Sequence, residues 1–134
     1  MTRRAPSRVQ ECTRAEAHAR RAQASAFLDV AELVLSEDRR EAHVAAALAV
    51  LAGIAAADAI CGLSLGKWSR GSDHGQAADL LEEVALHDRT VAKKLRRLLA
   101  DKDAAHYSPS LVTLDRARTM VRYAGALVAE AARW

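Results

Sequence analysis

Proline occurs only at positions 6 and 109 of this 134-residue chain, so residues 7–108 carry nothing that breaks a helix outright. That stretch is also saturated with alanine. The whole chain holds 31 alanines, the residue with the strongest intrinsic helix preference. Against them stand 10 valines, 2 isoleucines and five aromatics, too few to build a sheet, where β-branched and aromatic side chains are favoured. An all-α domain is therefore expected. The length suits one domain with a modest core, and 51% apolar with 28% charged residues excludes a disordered tail.

Periodicity places the helices. Residues 1–8 read as a flexible basic arm and residues 9–134 as a single helical-bundle domain. A first helix over residues 10–37 carries Ala15, Ala19, Ala22, Ala26, Val30 and Leu33 at helical spacing, widened by Phe27, Ala31 and Val34. Ser36, Glu37 and Asp38 make a polar turn. In the second helix, over 39–65, Val44, Leu48, Leu51, Ala55 and Ala59 mark one face, and Ala46, Val50, Ile54 and Ala57 the other. A helix apolar nearly all round is a buried one, so this is the central element, and its alanines and Gly53 let neighbours approach closely. Its apolar run, 44–60, is too short and too alanine-rich for a bilayer span.

Gly62, Gly66 and Gly71 bracket a loop containing Lys67, Trp68, Ser69 and Arg70. Asp73, three residues before Gln76, resembles a capping box for a short third helix over 74–87 with Ala77, Leu80, Leu81 and Val84 inside. Asp88 or Thr90 caps a fourth helix bearing Val91, Leu95, Leu98 and Leu99. It ends by Tyr107, because Pro109 disfavours helix at Ser108. Thr113 caps the last helix, whose stripe is Leu114, Ala117, Val121, Ala124, Leu127 or Val128, and Ala131. Short links make this an antiparallel bundle of four to five helices.

A net charge of +3 permits an anionic partner without demanding one. Cys12 and Cys61 form no CxxC and have no metal spacing. They read as small buried hydrophobes, with a disulfide between the first two helices as the alternative. No apolar segment follows the basic start as in a secretory signal, so the chain reads as soluble and cytoplasmic, with no membrane partner. His43 lacks a companion ligand, His18 and His87 read as solvent-facing, and neither a metal nor a cofactor is expected. Glu82-Glu83 and Lys93-Lys94 with Arg96-Arg97 read as solvated helix faces, the latter alternatively as a phosphate-facing stripe.

Three groups of residues could carry chemistry. Lys102 and His106, four apart, share a helix face. Asp103 can orient the imidazole, and Tyr107 adds a phenol. A lysine and a histidine together can hold a phosphate and move a proton, the services that RNA cleavage through the 2′-hydroxyl needs. The structural alternative is ordinary C-terminal helix chemistry, in which cations favour the dipole. The second group is Arg70, Asp73 and His74, read as a loop folding over that same cleft, or else as a cap and solvated loop. Trp68 beside it can stack on a base or plug the end of the core. Third, Asp58 lies on the most apolar helix, where a buried carboxylate must find a partner or shift its pKa. A cation from a neighbouring helix is the expected partner. No Gly-rich phosphate loop and no GxSxG occur.

These residues carry a resemblance. Residues 42–134 resemble the HEPN (higher eukaryotes and prokaryotes nucleotide-binding) superfamily. The resemblance rests on Ala57-Asp58-Ala59-Ile60 in a long alanine-rich helix, on Asp73-His74 followed by Ala78-Asp79-Leu80-Leu81, and on Leu98-Leu99-x-x-Lys102-Asp103-x-Ala105-His106-Tyr107. It implies a HEPN-like bundle that dimerises. In nuclease members an arginine followed four to six residues later by a histidine cuts RNA without a metal, in a cleft shared by two protomers. Many members are toxins paired with a nucleotidyltransferase antitoxin, which can modify a tyrosine close after the histidine. Here the motif is degenerate: positions 99–101 are Leu99, Ala100 and Asp101, and Lys102 stands nearer. The resemblance thus implies an RNA-directed protein, a metal-independent endoribonuclease or toxin component. His106 would move protons, Lys102 clamp phosphate, Asp103 orient, and Tyr107 stack or accept modification. Its partners would be a second copy, RNA or a nucleotide, and the antitoxin. The alternatives are a non-catalytic module binding a nucleotide or protein, and a structural adaptor.

Overall fold

The structure, a computed structural model, describes residues 9–70, 74–84 and 89–134. Among these residues it forms an all-α bundle of six helices with one small strand pair. In chain order the elements are β1 (Val9–Glu11), α1 (Arg14–Val34), α2 (Arg39–Leu65), β2 (Lys67–Ser69), α3 (Gly75–Val84), α4 (Thr90–Ala100), α5 (Lys102–His106) and α6 (Leu114–Ala131).

The axis of the fold is α2, which is buried on nearly every side, from Ala42 to Gly62. By length and composition it could cross a membrane, but most of it is buried within the protein. Asp38 starts it by accepting from the N–H groups of Arg40 and Glu41, and Gly66 ends it in the left-handed region at φ 70°, which costs glycine little. Antiparallel to it runs α1, whose Ala17, Ala24 and Ala31 are fully buried. Their spacing of seven is two helical turns, so all three point inward along one stripe, whereas the expected stripe of Ala15, Ala19, Ala22, Ala26, Val30 and Leu33 faces outward and is exposed. On another side α6 lies alongside α2 in the same direction. Near its start Val112 N–H donates to His43 Nδ1 at the head of α2 (3.0 Å), and near its end Leu127 covers Gly53.

Two glycines set the helix separations. A Cβ on Gly53 would lie 2.6 Å from Leu98 Cδ1 and 3.3 Å from Leu127 Cδ1, so α4 and α6 close over α2 there. A Cβ on Gly62 would lie 2.8 Å from Ala17 Cβ and 2.9 Å from Cys12 Sγ. Only small residues on both sides allow that approach of α1 to α2.

The expected first helix starts later than position 10. Thr13 and Glu16 form a reciprocal capping box, with Thr13 N–H donating to Glu16 Oε1 (2.9 Å) and Glu16 N–H to Thr13 Oγ1 (3.1 Å). The residues before it are extended and pair antiparallel with β2, Val9 opposite Ser69 and Glu11 opposite Lys67. The expectation of no sheet thus fails locally. The Gly66 turn sends the chain back beside its own beginning, and Cys12 N–H reaches Gly66 O at 3.0 Å, so backbone groups outside the helices find partners in each other.

The expected fourth helix, unbroken to Tyr107, divides at Asp101. There the backbone N–H turns to Leu98 O (3.1 Å) and the carboxylate meets Arg116 of α6 (3.4 Å). Thr90 is the first residue of α4 rather than its cap, and Arg89 in the cap position makes no side-chain bond. Thr113 caps α6 as expected, accepting from Arg116 N–H at 3.2 Å. The basic arm, the Asp73 cap, Asp88 and His87 lie outside the described residues.

Candidate functional site

On α2 Asp58 emerges between α1 and the chain that follows β2. Its side chain is 13% exposed and pairs with Arg20 of α1, whose Nε donates to Oδ2 at 3.1 Å. A second nitrogen of the same guanidinium, Nη1, donates to Gln23 Oε1 at 2.8 Å. Thus Asp58 does find a cation from a neighbouring helix. Burial nonetheless dominates and lifts its carboxyl to about 6, with Arg20 and Arg70 pulling the other way. Such a carboxylate is mostly ionised at pH 7, yet more basic than an ordinary aspartate.

This pair forms the floor of a cleft. One cavity of about 390 Å³ is lined by Glu16, Arg20, Gln23, Asp58, Trp68 and Arg70, among others. A second, of about 340 Å³, shares Arg20, Asp58, Ser69 and Arg70, and adds Ile54, His74 and Ala77. Glu16 at the rim is held below the usual carboxylate range chiefly by its Thr13 capping bonds. The Trp68 indole packs toward Gly62, whose Cβ would lie 3.4 Å from Cε3. Its Nε1 is buried without a hydrogen-bond partner. Cys12 and Cys61 are free thiols, half-buried and buried respectively. Burial pushes the Cys61 thiol up to about 12, so it behaves as a small hydrophobe and an inert one.

Lys102, Asp103, His106 and Tyr107 do not line either cavity. His106 Nε2 lies 3.1 Å from the carbonyl oxygen of Ala47 on α2. As donor it ties α5 to the central helix. That carbonyl, not Asp103, orients the imidazole: Asp103 is exposed, and its backbone oxygen accepts from Tyr107 and Ser108 N–H (2.9 and 3.0 Å). Lys102 Nζ sits 5.9 Å from the centre of the exposed Tyr107 ring, and the His106 and Tyr107 rings are 6.1 Å apart. The expectation of one cleft shared by this group and the loop is corrected: Arg70 and His74 fold over Asp58 instead. Asp73 lies outside the described residues. His43 serves as an acceptor at the start of α6, and His18 is half-buried rather than solvent-facing.

The residue missed in the sequence is Arg20. It stands three after Ala17 and four before Ala24, on the stripe that α1 buries. A cation on one inner stripe and an anion on the next helix are a legible pair once their faces are aligned. Among the described residues no three of His, Cys, Asp and Glu gather as metal ligands would. The cleft does bring together a proton acceptor near neutrality, two guanidiniums and an imidazole. No protein-family model matches the chain, and no curated protein matches it.

Proposed function

We propose that the chain is an RNA-directed protein of HEPN type, a metal-independent endoribonuclease whose working cleft is formed by Arg20, Asp58, Arg70 and His74. The observation that supports it is Asp58, a carboxylate lifted to about 6 on a cleft floor beside Arg70 and His74. In this reading Arg70 holds the phosphate, and Arg20 keeps Asp58 in place. Asp58 takes the proton of the RNA 2′-hydroxyl as that oxygen bonds to phosphorus. His74, protonated, gives its proton to the departing 5′-oxygen as the P–O bond breaks, leaving a 2′,3′-cyclic phosphate and a 5′-hydroxyl. General acid–base catalysis of this kind contributes about 10²- to 10⁴-fold. The second copy and the nucleotidyltransferase antitoxin belong to the same proposal. The test is incubation of the purified protein with total RNA and tRNA in the presence of a chelator. Wild type should cleave, and Asp58→Asn and Arg70→Ala should not. Identical RNA profiles for all three proteins sink the nuclease reading.

A second reading has its own support. The cavity, about 390 Å³ with Trp68 in its wall, is of a size that holds a small ligand. A nucleotide bound without cleavage would stack on that indole. A thermal shift with AMP or ATP, lost in Trp68→Ala, together with intact RNA, selects this reading over the first.

A further inference from the structure

Far along the chain from these residues, α4 and α6 carry a charged groove. Its cavity, about 260 Å³, is lined by Thr90, Lys93, Lys94, Arg97 and Tyr123. The inner face of α4 is fully occupied by Val91, Ala92, Leu95 and Leu98, so the cations necessarily project outward. Arg122 adds another, its guanidinium 6.0 Å from the centre of the Tyr123 ring.

What distinguishes this face is its lack of compensation. Arg96, on the same helix, is held by Asp79 (2.7 Å) and Glu82 (3.2 Å) of α3. Among the described residues, Lys93, Lys94, Arg97 and Arg122 enter no ion pair. Lys93 and Arg97 are one turn apart, a like-charge spacing that disfavours the helix. An ordinary solvated surface mixes its signs. Here one sign is concentrated around a groove with a half-buried aromatic ring, the combination that tracks a phosphate backbone and offers a base a stacking face.

We propose that the α4–α6 groove binds the sugar–phosphate backbone of single-stranded RNA, as a site separate from the Arg70 cleft. Lys93, Lys94 and Arg97 contact successive phosphates and Tyr123 meets a base. The choice of RNA over another polyanion rests on the RNA-directed reading of the chain. The binding itself rests only on the groove.

The probe is a 12-mer of 2′-O-methyl oligouridylate, which has no free 2′-hydroxyl to be cleaved through, titrated by fluorescence anisotropy from 50 to 200 mM salt. Three phosphate contacts on a single strand give a slope of about −2 in log K against log salt, so wild type should weaken about 20-fold over that range. The triple variant Lys93→Gln, Lys94→Gln, Arg97→Gln should bind more weakly and lose most of that slope. Its changed residues avoid the buried face, and a thermal melt checks that it folds. Arg70→Ala should keep most of the slope. An unchanged slope in the triple variant overturns the proposal, as does a wild type that does not bind the probe. Equal binding of polyglutamate overturns the assignment to RNA. A protein that cleaves no RNA but shows the wild-type slope and its loss in the triple variant supports the groove while refuting the nuclease reading.

Discussion

Replacing Asp58 by Asn tests the cleft through stability alone. The substitution keeps the shape and removes the charge. In the folded protein burial lifts the Asp58 carboxyl to about 6, against roughly 3.9 for an unfolded chain. The folded state therefore binds this proton more tightly. Its contribution is fully present below about pH 3.9 and is lost as pH rises through about 6. That difference in proton affinity is worth about 3 kcal/mol. The assay is urea unfolding of both proteins at intervals from pH 4 to 7.5. Glu16 and Asp38, whose carboxyls are lowered by capping bonds, have the opposite pH dependence, but both proteins carry them and they cancel in the difference. The stability of Asp58→Asn relative to wild type should rise by about 2.4 kcal/mol across the range, less than the full difference because at pH 4 the unfolded carboxyl is already half ionised. Parallel curves would show that burial does not govern Asp58. A relative gain by wild type would show that the Arg20 pair outweighs burial.

Other outcomes follow from the packing. Gly62→Ala should cost about 2–3 kcal/mol by urea midpoint despite a better helix residue, because its Cβ meets Ala17 Cβ, which cannot rotate away. Gly53→Ala should cost less, about 1 kcal/mol, since the end of the Leu98 side chain can move. Thr13→Ala removes the cap of α1 and should cost about 1 kcal/mol in the same assay. His106→Ala loses the bond to Ala47 O and should cost about 1 kcal/mol, with RNA cleavage unchanged within a few-fold.

The sequence made α2 legible at both ends, because Asp38 and Gly66 are strong stop signals around a run that is apolar on every face. It also exposed Asp58, since one carboxylate among alanines must be accounted for. The strand pair was not legible. Three-residue segments have no periodicity, and their pairing follows from where the Gly66 turn sends the chain. The break at Asp101 was hidden for a related reason: it coincides with a contact to Arg116, more than a dozen residues later. The His106 cluster illustrates a limit of local spacing. Lys102 and His106 do share a helix turn, but which way that turn faces depends on packing against Ala47. Arg20 was overlooked because it looks like any surface arginine until Ala17 and Ala24 are recognised as the buried stripe.

The most direct measurement compares RNA cleavage by wild type, Arg70→Ala and His106→Ala, with chelator present and each protein shown to be folded. If the Arg20–Asp58–Arg70–His74 cleft does the work, Arg70→Ala falls by about 10²-fold or more, and His106→Ala stays within a few-fold of wild type. Loss of cleavage in His106→Ala with full cleavage by Arg70→Ala would contradict the account and return the chemistry to α5.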